Sequence, residues 1–186
     1  MSRQETDHLI VDEFCKLYQA KLIGKITVRE LVNNCHLNRS TFYKHFYDVY
    51  DIRDQLEQKF IQNFKNAILQ NLNMKRNNLV ANLTQCFPKA LEKNQTYLKV
   101  LIAHNPNAPH TINRLFQELV PFYRKILHVE KGKEADAVLT FYTAGFCSFF
   151  MNWNNNDQDL SIAEMTNLLA KFLSQGLLSV LEEYIH

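Results

Sequence analysis

A chain of 186 residues, 46% of them hydrophobic, is long enough to bury roughly 70% of its unfolded surface, so its core requires no disulfide or metal staple. Only 4 glycines and 4 prolines are present, too few for the many hairpins of an all-β protein, and the fold class implied is all-α. The formal net charge of +2 does not by itself indicate a partner.

The chain opens with MSRQETDHLIVDEF, which has no basic leader followed by an apolar core, so a cytoplasmic protein is expected. Ile10, Phe14, Leu17 and Tyr18 recur at helical spacing, with Asp12, Glu13 and Lys16 turned away, predicting a helix over 7–22 that stops before Gly24. Thr27-Val28-Arg29-Glu30 has the Thr-x-x-Glu spacing of a capping box. The helix it starts turns Leu31 and Val32 inward and ends near Asn34 and Cys35. His36 falls in a tight turn and Asn38 caps a further helix, so residues 27–46 read as helix, turn, helix.

From Asp48 onward, Ile52, Leu56, Phe60, Phe64, Ile68 and Leu72 recur every fourth residue, predicting a long helix broken at the polar MKRNN of 74–78. Helices follow over 79–93, bent or stopped at Pro88, and over 95–103. HNPNAPH (104–110) reads as a loop, because each proline disfavours helix at the residue before it. A helix over 111–128, kinked at Pro121, and a turn at VEKGKE precede an aromatic helix over 134–153. Its apolar run, 138–151, is shorter than the roughly 20 residues of a membrane-spanning helix and turns polar at its flanks, so burial within protein is expected. After the polar NWNNNDQDL, Ser161-x-x-Glu164 caps a last helix to about Tyr184. The pattern gives about nine helices and no strand. Cys15, Cys35, Cys86 and Cys147 have no CxxC spacing and lie among apolar neighbours, as small buried residues of a reducing compartment do.

LNRSTFYKHF (37–46) interleaves rings and positive charge. At about 100° per residue, Phe42 and Phe46 share one face, Ser40, Thr41 and Lys44 lie opposite, and Tyr43 and His45 flank them. Residues 21–47 hold Lys21, Lys25, Arg29, Arg39 and Lys44 against Glu30 alone, a local balance of +4, which suits a nucleic-acid backbone. Ser40 and Thr41 suit base edges or thymine methyls, and Lys44 suits guanine. Tyr43, His45 and Thr27, with the amides that follow Thr27, suit phosphates at the groove walls; Arg39 suits either. With Arg29, these form the candidate DNA-binding set. Competing readings are a hydrogen bond to the first helix for Tyr43 or His45, and simple solvation for Lys44.

The string ITVRELVNNCHLNRSTFYKHFYDVYDI (26–52) resembles the DNA-binding domain of the tetracycline-repressor (TetR) family of bacterial regulators. It has a capped second helix, a turn, STFYKHF as recognition helix, and an acidic cap on the fourth helix. It departs from the family at His36, where glycine is usual, and at Val49, where a phosphate-binding lysine is frequent; Tyr47 or Tyr50 would replace that lysine. The resemblance implies a DNA-binding domain over 1–50 and a helical ligand-sensing and dimerisation domain over 51–186. It further implies a homodimeric repressor released from an inverted-repeat operator by a small-molecule effector, with no cofactor. A coactivator of the same fold, controlled by a protein partner, is the alternative. The segment Gly145…Trp153…Ser161-x-x-Glu164-Met165 resembles the C-terminal region of the branch that includes a dihydroxyacetone-kinase regulator.

A dimer is expected from the residues too. Ala137, Phe141, Ala144, Gly145 and Ser148 form a narrow small-residue face flanked by Phe149, and the last helix carries Leu169, Phe172, Gly176 and Leu177 on a face wider than one neighbour covers. Phe60, Phe64, Tyr97, Leu101, Phe116, Phe122, Tyr123, Tyr142 and Phe146 either line a ligand cavity or form plain core. His104 and His110 bracket the proline loop without a carboxylate or thiol at fitting spacing, so no metal is expected. No nucleophile–base arrangement, glycine-rich phosphate loop or isolated carboxylate pair is present, so no enzyme is expected.

Overall fold

A computed structural model describes residues 2–71, 86, 89–102, 105–126, 128–155, 161, 164, 167–168, 171–172 and 175–176. Among them every regular element is helical. Helix α1 (Arg3–Ala20) begins four residues before the predicted start, because Ser2 and Glu5 form a reciprocal capping box: the Glu5 amide donates to Ser2 Oγ (3.2 Å) and the Ser2 amide to Glu5 Oε2 (2.6 Å). Ile10, Phe14 and Tyr18 form its buried stripe, with Phe14 stacked on Tyr18 at 5.1 Å.

A 3-10 turn (Ile23–Lys25) leads to α2 (Val28–Asn34), whose first-turn Glu30 amide donates to Thr27 Oγ1 at 3.2 Å. The other half of that box is absent: Glu30 Oε1 accepts from Lys21 Nζ at 2.5 Å. The turn after α2 sets His36 at φ 54, the left-handed region where a β-carbon is strained. Asn38 then caps α3 (Arg39–Phe42), and α4 (Val49–Asn71) follows a corner closed by Asp48, which accepts from the Asp51 amide (2.8 Å), and by Asp51, which accepts from the Tyr47 amide (2.9 Å). Phe42, Phe46, Val49 and Ile52 belong with the α1 stripe and the α2 residues Leu31 and Val32 to a hydrophobic core that continues through Phe60 and Phe64 to Leu115 and Leu119.

Beyond α4, residues 89–93 are helical, and α5 (Gln95–Leu101), α6 (Ala108–Ile126) and α7 (Lys133–Asn155) complete the described elements. The expected break at 74–78 and the bend at Pro88 lie outside the described residues. The expected loop over 104–110 is shorter than predicted, because α6 takes Pro109 and His110 into its first turn. Proline is tolerated there, since a first-turn amide has no intrahelical acceptor to lose. Pro121 lies within α6, which continues past it to Ile126.

Two buried polar groups tie the start of α6 to earlier helices. Asn107, at the start of α6, donates through Nδ2 to the Tyr18 and Lys21 carbonyls (3.2 and 3.1 Å) and accepts through Oδ1 from the Ile23 amide (2.9 Å). Asn105 Oδ1 in turn holds the Asn107 amide at 2.7 Å. On α4, Glu57 is fully buried (0% exposed) and accepts from His110 Nδ1 (3.1 Å), Thr111 Oγ1 (2.6 Å) and Arg114 Nη1 (3.0 Å), all on α6. A carboxylate taken out of water costs several kcal/mol unless so paired. The same burial, aided by the Glu57 charge, pushes the Tyr18 phenol up to about 12.

Asn107→Ala leaves those carbonyls and an amide without partners and is expected to lower the unfolding free energy by about 2 kcal/mol in urea denaturation. His36→Gly relieves the left-handed strain and is expected to raise it by about 0.5–1 kcal/mol in the same measurement. An unchanged denaturation midpoint would refute either assignment.

Candidate nucleic-acid interface

The surface in question is the corner made by α2, its turn and α3. One α-helical turn would not hold its direction alone, so α3 is fixed from outside. Asn38 Oδ1 accepts from the Thr41 amide (2.7 Å) and from the hydroxyls of Ser40 (2.7 Å) and Thr41 (2.8 Å). Phe42 and Phe46 are buried with their rings 6.0 Å apart, and tighter turns carry the helix on as the His45 and Phe46 amides both reach the Phe42 carbonyl.

The outward side holds most of the expected residues. Thr27, Arg29, Arg39, Ser40, Tyr43 and Lys44 are exposed and Thr41 is half-buried. Tyr43 is 57% exposed and packs edge-to-face on Phe42 at 5.5 Å, so its ring is supported while its hydroxyl makes no bond to α1 among the described residues. His45 does not join them and follows the competing reading, a hydrogen bond to the first helix. The helical turn swings it onto α1, where Nδ1 meets Asp7 Oδ1 at 2.5 Å and the side chain is only 9% exposed. It pins the recognition helix and does not present its imidazole outward.

The charge is distributed in a telling way. Lys21 is neutralised by Glu30, whereas among the described residues no ion pair engages Lys25, Arg29, Arg39 or Lys44. Arg39 and Lys44 thus stand unpaired on α3 and just after it, and Lys25 and Arg29 on the turn and helix that precede it. Because the Ser40 and Thr41 hydroxyl protons are both directed at Asn38, these side chains offer outward acceptor lone pairs and a methyl group. Such groups suit the amino group of adenine or cytosine and the thymine methyl.

The expected pocket residues fall differently. Phe60, Phe64 and Leu101 are core side chains, and Tyr97 stacks on Phe60 at 6.1 Å. Phe116 and Tyr123 are half-buried against the same core, while the side chains of Tyr142 and Phe146 lie outside the description. A described cleft of about 300 Å³ opens elsewhere, lined by Arg53, Asp54, His110, Asn113, Arg114 and Gln117. It is a polar groove over the Glu57 contacts.

Of the expected dimer residues, Phe141 is 67% exposed and Gly145 and Ser148 are exposed on α7, whereas Phe149 packs edge-to-face on Phe172 at 6.2 Å. Gly176 has φ 86; Leu169 and Leu177 lie outside the described residues. Burial pushes the Cys15 thiol up to about 11, with Asp12 adding to it, and raises Cys35 as well, so both are poor nucleophiles. Among the described residues, no group of three or more His, Cys, Asp and Glu is placed to hold a metal, and no helix is long and apolar enough to cross a membrane. His110, one of the two histidines around the proline loop, is engaged with Glu57; His104 is outside the description.

No sequence signal marked Asn107, which joins residues far apart in the chain; a hydrogen bond from His45 to the first helix was one of the two readings of that residue, with no signal for Asp7 as its partner. Asn38 was legible as a cap, but not as the acceptor for both neighbouring hydroxyls.

A comparison with curated proteins finds no match. Against family models, residues 81–175, slightly more than half of the chain, match the TetR transcriptional regulator C-terminal region. That segment begins beyond the head, so it is independent of the helix-turn-helix motif that first suggested the same family. The chain belongs to the TetR family of transcriptional regulators.

Proposed function

We propose that this regulator binds duplex DNA as a homodimer, with the α3 of each head in the major groove of one half of an inverted repeat, and that it represses transcription until a small molecule engages its helical body. The observation that carries the DNA reading is the two-sidedness of this stretch: Phe42 and Phe46 are buried, whereas Arg39, Tyr43 and Lys44 are exposed, neither cation in an ion pair among the described residues. Lys44, Ser40 and Thr41 would meet base edges; Arg29, Arg39, Tyr43 and Thr27 would meet the sugar-phosphate walls.

The homodimer is supported by α7. Ala137, Val138, Phe141, Ala144, Gly145 and Ser148 are all exposed, and among the described residues nothing lies within 4 Å of where a side chain on Gly145 would begin. Small residues at helical spacing beside an exposed phenylalanine leave room for a second helix to approach closely. Two heads joined in this way would meet successive major grooves about 34 Å apart.

Control by an effector would act through population shift: binding must favour one separation of the heads over another. The Asn107 and Glu57 contacts give such a change a mechanical route, since both fasten α6 to elements that carry the head.

Arg39→Ala is expected to weaken binding to duplex DNA and to lower the slope of log affinity against log salt by about 1 per head, measured by fluorescence anisotropy. Unchanged affinity would mean that α3 does not face DNA. Phe141→Glu is expected to convert the dimer to monomer at micromolar concentration in sedimentation velocity, costing about 2 kcal/mol or more of association. A monomeric native protein under those conditions would contradict the dimer.

A further inference from the structure

The cleft of about 300 Å³ between α4 and α6 has no part in the DNA-binding corner or in the α7 face. Arg53 and Asp54 line it from α4, and His110, Asn113, Arg114 and Gln117 from α6. A ligand cleft of this size is ordinarily lined mostly by apolar and aromatic groups, with a few polar ones to orient the occupant. Here all six lining residues are charged, imidazole or amide. An apolar occupant would strip them of water without replacing their hydrogen bonds. Only a molecule polar over most of its surface suits such walls.

The two guanidinium groups are already held in place. Arg53 donates through Nε and Nη2 to Asp54 Oδ1 at 2.9 and 2.7 Å, and lies over the Tyr50 ring at 5.3 Å. Arg114 donates through Nη1 to the buried Glu57 Oε2 (3.0 Å) and through Nη2 to Gln58 Oε1 (3.1 Å). Its Nη1 also lies 3.6 Å from the same Asp54 oxygen. One carboxylate oxygen therefore stands between two fixed guanidinium groups, and it marks where an oxyanion is accepted. The Asp54 side chain is 51% exposed, and ion pairs so open to water contribute little. An incoming anion can take its place without displacing Glu57. Nearby, His110 bonds Glu57 through Nδ1 and has no partner at Nε2 among the described residues. The exposed Asn113 and Gln117 amides have no hydrogen-bond partner among the described residues either.

We propose that this cleft binds a compact, hydrophilic oxyanion, a small polycarboxylate or phosphate, which replaces Asp54 between Arg53 and Arg114, and that the effector acts here. The second half of the proposal rests on the effector reading above and deepens it. His110 and Arg114 also hold Glu57 of α4. An occupant that draws either of them toward itself changes how α6 grips α4, the helix that follows the α3 corner. A ligand can shift an equilibrium only by binding its states unequally, and these shared contacts supply the inequality.

The test uses the full chain with citrate and inorganic phosphate as probes, and potassium chloride at matched ionic strength as control. Calorimetric titration is run on the native protein, Asp54→Asn, Arg53→Gln, Gln117→Glu and Arg39→Ala. Arg114 is left unchanged, because its loss would strand the buried Glu57. Both probes are expected to bind the native protein, citrate more tightly because it spans more of the lining. Asp54→Asn tightens binding about threefold by removing the competing charge. Arg53→Gln weakens it about tenfold, as loss of a hydrogen bond to a charged group does. Gln117→Glu, an exposed change that spares the fold, also weakens it, whereas Arg39→Ala on α3 leaves it unchanged. Circular dichroism melting verifies the fold of each variant. If neither probe binds at millimolar concentration, the site is refuted. Binding that Arg39→Ala weakens and Arg53→Gln does not refutes it equally. Duplex affinity is then measured by anisotropy with and without citrate. A fall in the native protein that Gln117→Glu abolishes supports the effector role, and an unchanged affinity refutes that role. If citrate binds as expected but no duplex is bound at any salt, the DNA reading fails and the oxyanion site stands.

Discussion

Asn107 occupies the position on which the arrangement of head and body depends. Its amide is the right length and polarity to satisfy the last carbonyls of α1 and the first amide of the following turn at once. Those groups belong to a helix end, where backbone partners run out. A hydrophobic contact tolerates sliding, whereas an amide bonded to three defined backbone groups permits one register. Glu57 applies the same logic one helix away. Its carboxylate is stable in the interior only while His110, Thr111 and Arg114 remain in place, so any shift of α6 along α4 exposes a large desolvation cost. Together they hold the start of α6 in one register against the end of α1 and against α4.

That rigidity matters because α3 is so short. Helix α3 has four residues in α-helical conformation, far fewer than the roughly 12–15 an isolated helix needs. Its direction comes from Phe42 and Phe46 in the core, from Asn38 at its start and from the His45–Asp7 contact beyond its end. Phe42 and Phe46 lie on the side away from Lys44. The chemistry facing outward is therefore decoupled from stability, and substitutions at Lys44 or Tyr43 alter what the corner touches while the core remains intact.

The local features were legible in the sequence because they have short-range causes. The Thr27 and Asn38 caps, the four-residue stripe of α4 and the burial of Phe42 and Phe46 follow from residues within a turn or two of one another. Two boundaries moved for equally local reasons: Ser2 with Glu5 starts α1 earlier, and Pro109 begins α6 where a proline seemed to forbid it. Contacts between distant segments were not legible. Nothing near His45 indicates Asp7, and nothing near Asn107 indicates Tyr18, 89 residues away. Aromatic spacing alone did not separate a cavity from a core: Phe60, Phe64 and Leu101 are packed, and the described cleft is lined by charged and amide side chains.

The central claim is that this family member reads DNA through α3 as a two-fold assembly. The most direct test is to incubate the purified protein with sheared DNA from its own source, capture the complexes at about 100 mM salt, where the Debye length is about 10 Å, and sequence what is retained. Retained fragments should share an inverted repeat whose half-sites are centred about one helical turn, 10–10.5 base pairs, or somewhat more apart. Retained DNA without any shared motif, or no retention by a protein shown to be folded and dimeric, would contradict the claim.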